Sequence, residues 1–224
     1  MKDKKRDEHM AKFKIEAAKI PYKLSEVSFQ TIYEDEDFNL RNCQVSEDSL
    51  EGEVITSPIF TQVIFENMNL MNVSFENADL TDVIFRNCDL SNANFSEASF
   101  FRVEFRNCKL LGIDLSNASL RHVTFEKSIL EMSDFGYSRL QQVEFANSSL
   151  KDADLYECEF KDVAFTESDL DGVNFAGTAL KGIDLTNSHF TKLVLSIDDL
   201  AGCIVSSEQA VGFAGLLGLI IKED

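Results

Sequence analysis

Residues 61–100 read TQVIF ENMNL MNVSF ENADL TDVIF RNCDL SNANF SEASF. Every block of five ends on Leu or Phe. The series begins at Phe60 and reaches Leu200 without a miss, 29 positions in succession. Self-similarity of that length at a fixed period is the mark of a repeat architecture. Two residues before each centre the side chain is small or β-branched, as at Val63, Val73, Ala78, Val83, Cys88, Ala93 and Ala98. Just before the centre Asp or Asn recurs, as at Asp79, Asp89, Asn94, Asp114 and Asp154.

Five is the period of neither a helix nor a strand. If the centre and the residue two before it point the same way, three residues run extended and the other two turn a corner. A chain that turns after every block closes into a coil. The number of sides follows from a longer period. At steps of twenty one finds Phe65, Phe85, Phe105, Phe125, Phe145, Phe165 and Leu185, and beside them Leu70, Leu90, Leu110, Leu130, Leu150, Leu170 and Phe190. The positions two before the first column are Val63, Val83, Val103, Val123, Val143, Val163 and Ile183; those two before the second are Met68, Cys88, Cys108, Ser128, Ser148, Ser168 and Ser188. Like stacks on like, so four blocks make one turn of a four-sided β-solenoid with a strand spacing of about 4.8 Å. Phe/Val faces set against Leu/small faces fill the interior and leave no ligand cavity.

The blocks, of the form A(D/N)LxN or V(E/D)FxN, resemble the pentapeptide-repeat family. That resemblance implies an all-β fold, a right-handed quadrilateral β-helix. Cys88, Cys108 and Cys158 fall on inward positions and are expected as buried thiols, with Cys88 and Cys108 on successive coils. Five cysteines without CxxC spacing argue against a disulfide framework and against a zinc site.

Composition bounds the rest. The 224 residues are 44% apolar and carry 39 Asp+Glu against 21 Lys+Arg, a net charge of −18. The apolar fraction excludes wholesale disorder. No apolar run is long enough to span a membrane, and the Lys-rich start has no apolar core of a secretory signal. A cytoplasmic protein is expected, with no direct binding to nucleic acid or anionic membrane, since those partners are themselves polyanions.

Three segments emerge. Residues 1–21 form a basic arm or a helix, with Phe13, Ile15, Ala17 and Ile20 covering the open first coil; residues 1–10 read equally as a disordered arm, with Met10 as an alternative start. Residues 22–202 form the β-helix, irregular to about residue 57 and regular over 58–200. Leu24, Val27 and Phe29 suggest an offset partial coil, and the acidic stretches 33–37 and 46–58 read as loops or bulged corners. Residues 203–224 form a terminal cap. Ser206 to Gln209 has the spacing of a capping box, Ala210, Val211, Phe213, Ala214 and Leu217 follow at helical spacing, Gly218 stops the helix and residues 219–221 read as a short strand. The open ladder edge must be covered. Val211, Phe213, Leu216, Leu217, Leu219 and Ile221 are more apolar surface than one coil end needs, which points to a homodimer through this tail.

Residues 180–221 further resemble the C-terminal end of the Qnr group of quinolone-resistance proteins, most closely its loop-free Gram-positive type. The marks are L-x-G-x-x-V, then S-x-E-Q-A, then LG-L-I-I. The resemblance implies a dimer that mimics duplex DNA, binds DNA gyrase and topoisomerase IV and protects them from quinolones. The unbroken register leaves no room for the projecting loops of Gram-negative members, and the first 20 residues have no counterpart there.

Charge density agrees with mimicry. Residues 15–224 carry a net −21. About nine coils at ~4.8 Å make a rod of about 43 Å, or about one net charge per 2 Å, against one per ~1.7 Å for duplex DNA. The outward column Asn94, Asp114, Asp134, Asp154, Asn174 makes an acidic stripe, with Asp114, Asp134 and Asp154 as the expected partner-binding residues. An enzyme is not expected, and neither is a cofactor or metal. His9, His122 and His189 have no partner motif, and His122 and His189 read as solvated outward residues. The rod is too narrow and regular for the groove of a polysaccharide lyase or hydrolase, and there is no flat Thr column for ice. The competing function is a generic interaction scaffold with an unrelated partner.

Overall fold

The computed structural model describes residues 13–222. Its frame is one parallel sheet whose spatial order is the sequence order: β1 (Ser25–Glu26), β2 (Asn39–Ser46), β3 (Ile59–Glu66), β4 (Asp79–Arg86), β5 (Ser99–Arg106), β6 (Ser119–Glu126), β7 (Arg139–Ala146) and β8 (Glu159–Thr166). From β2 to β8 each strand pairs with the next at a shift of twenty residues, as in Phe65↔Phe85, Phe85↔Phe105 and Phe105↔Phe125. These strands run through two faces of the coil. The other two faces are held by single parallel bridges, such as Asn69↔Asp89 and Asn94↔Asp114. The twenty-residue period and the four-sided β-helix are therefore present as the sequence predicts.

The corners explain the asparagines. The second residue after almost every centre has positive φ, for example Asn67 (55°), Asn72 (57°), Asn87 (55°) and Asn117 (56°). Asn tolerates this left-handed region better than other side chains with a Cβ. At one corner Gly avoids a close approach. A Cβ on Gly172, at φ +77°, would lie 2.2 Å from Asp152 Oδ1.

Inside, the Phe column stacks at the strand spacing. Successive ring centroids from Phe85 to Phe145 are 4.9 Å apart, with planes within 5°. The Ser column does different work. Ser128 Oγ accepts the Cys108 N–H (3.1 Å) and donates to Glu126 O (3.1 Å), and the Ser128 N–H in turn donates to Ser148 Oγ (3.0 Å). Each hydroxyl thus satisfies corner backbone groups that the strand ladder leaves open. Among the described residues, Ser133 Oγ is the buried side-chain polar atom without a partner. Cys43, Cys88, Cys108 and Cys158 are buried free thiols. Burial pushes the Cys158 thiol up to about 12, and the Cys88 neighbour together with burial raises Cys108. These thiols pack the small-residue positions of the interior.

Three expectations at the ends are corrected. First, residues 14–20 are not helical and do not cap the first coil. They run extended along the outside of the rod, across β3 to β7. The cap is instead a 3-10 helix, Phe29–Glu34, that buries Phe29 and Ile32; Phe29 packs on Phe60, Phe65 and Phe75. Second, residues 46–58 are no irregular loop but a regular coil, bridged Ser49↔Asn69 and Val54↔Ser74, with Leu50 and Ile55 buried. Asp48, at an inward register position, stays half-buried and accepts the Phe29 N–H (3.3 Å). Third, residues 219–221 form no strand, because no neighbouring rung offers them a ladder. The partial coil is present: Ser25 and Glu26 pair with Cys43 and Gln44. Residues 1–10, with His9 and Met10, lie outside the described residues. No helix among the described residues is long and apolar enough to cross a membrane.

Candidate functional site

Among the described residues the regular coils are filled by stacked side chains, which leaves their outer faces as the place to look for a site. One differs from the rest. The face centred on Phe75, Phe95, Leu115, Phe135, Leu155 and Phe175 carries Glu76, Glu97, Asp114, Asp134, Asp154 and Glu157 and, from residue 53 to its last block, no Lys or Arg. By contrast, the face centred on Leu80, Phe100, Leu120 and Leu140 carries Arg102, Arg121 and Arg139. Acids occur on both faces, as at Asp79, Asp82, Glu159 and Asp162 on the second, but cations are kept off the first.

The bridges Asn94↔Asp114, Asp114↔Asp134, Asp134↔Asp154 and Asp154↔Asn174 put the expected stripe in one column at the strand spacing. Each acid also builds its own corner. Oδ1 of Asp114, Asp134 and Asp154 accepts the N–H two residues on, from Ser116 (2.9 Å), Gly136 (2.7 Å) and Tyr156 (2.9 Å). Asp134 reaches solvent, whereas Asp114 and Asp154 are half-buried. Partial burial, then the charges of Asp114 and Asp154, raise the Asp134 carboxyl above the ordinary aspartate value. Like charges one rung apart repel, and the turn hydrogen bonds hold them there.

That repulsion has a testable consequence. Asn already occupies this column at both ends: Asn94 accepts the Ser96 N–H (2.9 Å), and Asn174 donates to Asp154 Oδ1 (3.0 Å). Changing Asp114, Asp134 and Asp154 together to Asn should keep the corners and remove the repulsion. A raised carboxyl pKa means the folded state holds its proton more tightly than the unfolded state does, so the wild type loses stability as pH rises through that value. At neutral pH the triple variant should therefore melt at the same temperature or up to a few degrees higher, on a gain of about 0–1 kcal/mol. A large fall in the melting temperature would mean the carboxylates themselves hold the corners.

The same face carries a feature that the sequence did not single out. Tyr137 and Tyr156 meet edge to face with centroids 5.5 Å apart, and Tyr137 is exposed. Tyr156 donates to Glu157 (2.6 Å), which pushes its hydroxyl up to about 12. Their diagonal placement, on adjacent rungs in neighbouring columns, was legible in principle once residues 136–137 and 156–157 are aligned at twenty.

At the C-terminus α1 (Ser207–Phe213) starts with the expected capping box: Ser206 Oγ accepts the Gln209 N–H (3.2 Å) and Gln209 Oε1 accepts the Ser206 N–H (2.9 Å). Gln209 Nε2 also donates to Leu185 O (2.8 Å), tying the helix to the last coil. Phe213 packs on Phe190 at 5.7 Å. The backbone then tightens into a 3-10 turn, Ala214–Leu217, which ends at Gly218 with φ 71°. Leu217 is thereby rotated off the Phe213 face. Val211, Leu216, Leu217, Leu219 and Ile221 are all exposed, and Phe213 is half-buried.

The expected solvated His122 is a further correction. It is 4% exposed, lies under the N-terminal strap, and accepts the Glu16 N–H at Nδ1 (3.3 Å). Asp82 and Glu104 are buried beneath the same strap. The outward isoleucines Ile64 and Ile84 were the available signal that this side is covered.

Against known families, the profile of the pentapeptide repeat region matches residues 58–135 and 98–175, and that of pentapeptide repeats in eight copies matches residues 168–196. The chain belongs to the pentapeptide-repeat family. No curated protein matches it significantly. Solved pentapeptide-repeat structures similar to it include QnrB1, a plasmid-mediated fluoroquinolone resistance protein. A trypsin-treated form is 22% identical with a TM-score of 0.45, over 80% of this chain and 100% of that one. Full-length QnrB1 is 20% identical with a TM-score of 0.38, over 87% and 95%. HetL, a pentapeptide repeat protein involved in heterocyst differentiation regulation from the cyanobacterium Nostoc, is 17% identical with a TM-score of 0.29, over 75% and 86%.

Proposed function

We propose that this chain is a DNA-mimicking protein that occupies the DNA-binding groove of a bacterial type II topoisomerase, DNA gyrase or topoisomerase IV, and protects it from quinolones. The observation that carries this reading is the face from Glu76 to Glu157, which holds stacked carboxylates and no cation. A groove built to neutralise phosphates attracts such a face by the same field. The Qnr-like tail, from Leu180 to Ile221, supplies the choice of partner. The protein acts by binding and needs no catalytic group.

Two-fold partners favour a two-fold ligand, and the exposed apolar tail fits a self-complementary contact. Two rods end to end would span about 85 Å at the strand spacing. Deleting residues 206–224 should give a monomer by sedimentation and lose topoisomerase inhibition at the same time. An intact chain that sediments as a monomer would reduce the tail to a cap.

The direct test of binding is competition. Labelled chain should bind gyrase, duplex DNA should displace it, and its affinity should fall steeply between about 50 and 200 mM salt, as for a polyanion in a basic groove. Binding that DNA does not displace would favour a scaffold role with a different surface.

A further inference from the structure

The strap over β3 to β7 is held in an unusual way. Five side chains from five successive coils bind it, and every one binds main chain. Gln62 Nε2 donates to Lys19 O (2.9 Å), and the Lys19 N–H donates to Asp82 Oδ1 (2.8 Å). The Ala18 N–H donates to Glu104 Oε1 (2.9 Å), and the Glu16 N–H to His122 Nδ1 (3.3 Å). Gln142 Nε2 donates to Lys14 O (2.9 Å). The spacings match: four coil steps of ~4.8 Å make about 19 Å, and five extended residues at ~3.3 Å span about 17 Å.

The receptor groups are set in place by the rod itself. Arg102 forks onto Asp82 (2.6 and 2.7 Å) and lies over the Phe101 ring at 4.0 Å. Arg106 Nε holds Glu104 Oε2 (2.8 Å). Ile84, outward on its strand, is 6% exposed between them, and Ile15 and Ile20 of the strap are half-buried. Within the strap Lys19 pairs with Glu16 at 3.3 Å, and Glu16 is also within 3.9 Å of Arg102 on the rod. The groove thus reads an extended backbone with free N–H groups, small side chains at its centre and aliphatic ones toward its ends.

We propose that this groove is a peptide-binding site for an extended segment, and that residues 14–19 are its internal, displaceable ligand. It uses neither the acidic stripe nor the C-terminal patch and stands independently of the topoisomerase reading. Covalent attachment gives the strap an effective concentration of the order of millimolar, so it excludes other peptides until it is loosened.

The test uses the full-length chain carrying Ala18→Pro. Proline suits an extended backbone but removes the N–H that Glu104 accepts. A fluorescent peptide of residues 13–20 should bind this variant at least tenfold more tightly than it binds the wild-type chain, by anisotropy. The same peptide bearing Ala18→Pro should bind neither. Equal binding to both chains, no binding to the variant, or indifference to proline in the peptide would overturn the proposal. In the unaltered chain, amide exchange at Ala18 and Lys19 should be slowed at least a hundredfold against the free peptide, and exchange at the free-peptide rate would overturn it as well.

Discussion

Phe105→Ala should cost about 3–5 kcal/mol and lower the melting temperature by roughly 6–20 °C. Phe105 is fully buried and lies between Phe85 and Phe125, with ring centroids 4.9 Å away on both sides and planes inclined by 3° and 5°. Removing it leaves a void the width of one rung. In a solenoid each coil touches only its neighbours, so no distant element can collapse into that void. The adjacent coils cannot approach either, because the strand ladder fixes their spacing. The control is Phe190→Ala, at the half-buried end of the rod, which should cost markedly less. Circular dichroism melts of the two variants check the order. A larger loss at Phe190 than at Phe105 would contradict the stacked core.

Ser128→Asp should be worse still, a loss of more than about 4 kcal/mol that leaves little soluble protein. Ser128 is 1% exposed and both donates and accepts. A carboxylate can accept the Cys108 N–H, but it cannot donate to Glu126 O, and it places a charge against that carbonyl in a dry column. Ser128→Cys should be mild by comparison, because Cys88 and Cys108 occupy the same column. The sign of the pH effect follows. Burial raises the introduced carboxyl's pKa above its unfolded value, so the folded state binds the proton more tightly, and the variant should regain stability as pH falls toward that raised pKa. An unchanged melting temperature at neutral pH would show that position 128 does not face inward.

The regular rod was legible because one physical requirement repeats. Each rung must match its neighbours, so the period of twenty, the Phe column through Phe105 and the Ser column through Ser128 are written in the sequence many times over. The acidic column was legible for the same reason, since register alone aligns Asp114, Asp134 and Asp154. What the sequence hid occurs once. The strap's contacts join Lys14 to Gln142 and Lys19 to Gln62 across long stretches of chain, and no periodicity announces them. His122 was assigned to solvent because its register position is outward, which is correct; the strap that covers it is not part of the register. Residues 46–58 looked irregular because Asp48 and Glu53 stand at inward register positions. At this first full coil the interior is capped by Phe29 and Ile32, and Asp48 finds the Phe29 N–H there. The tail was half legible. Its capping box is a local signal, whereas the tightening after Phe213 that turns Leu217 outward depends on backbone geometry that spacing does not encode.

The measurement that tests the central claim most directly is inhibition of gyrase-catalysed DNA supercoiling by the wild-type chain and by the Asp114→Asn, Asp134→Asn, Asp154→Asn triple variant, compared at matched folding and at two salt concentrations. The account predicts that the wild type inhibits at low salt and much less at moderate salt. It also predicts that the triple variant, though it melts no lower, inhibits at least tenfold less and shows a shallower salt dependence. Equal inhibition by the two proteins, with the same salt dependence, would contradict the assignment of this face as the surface that imitates DNA.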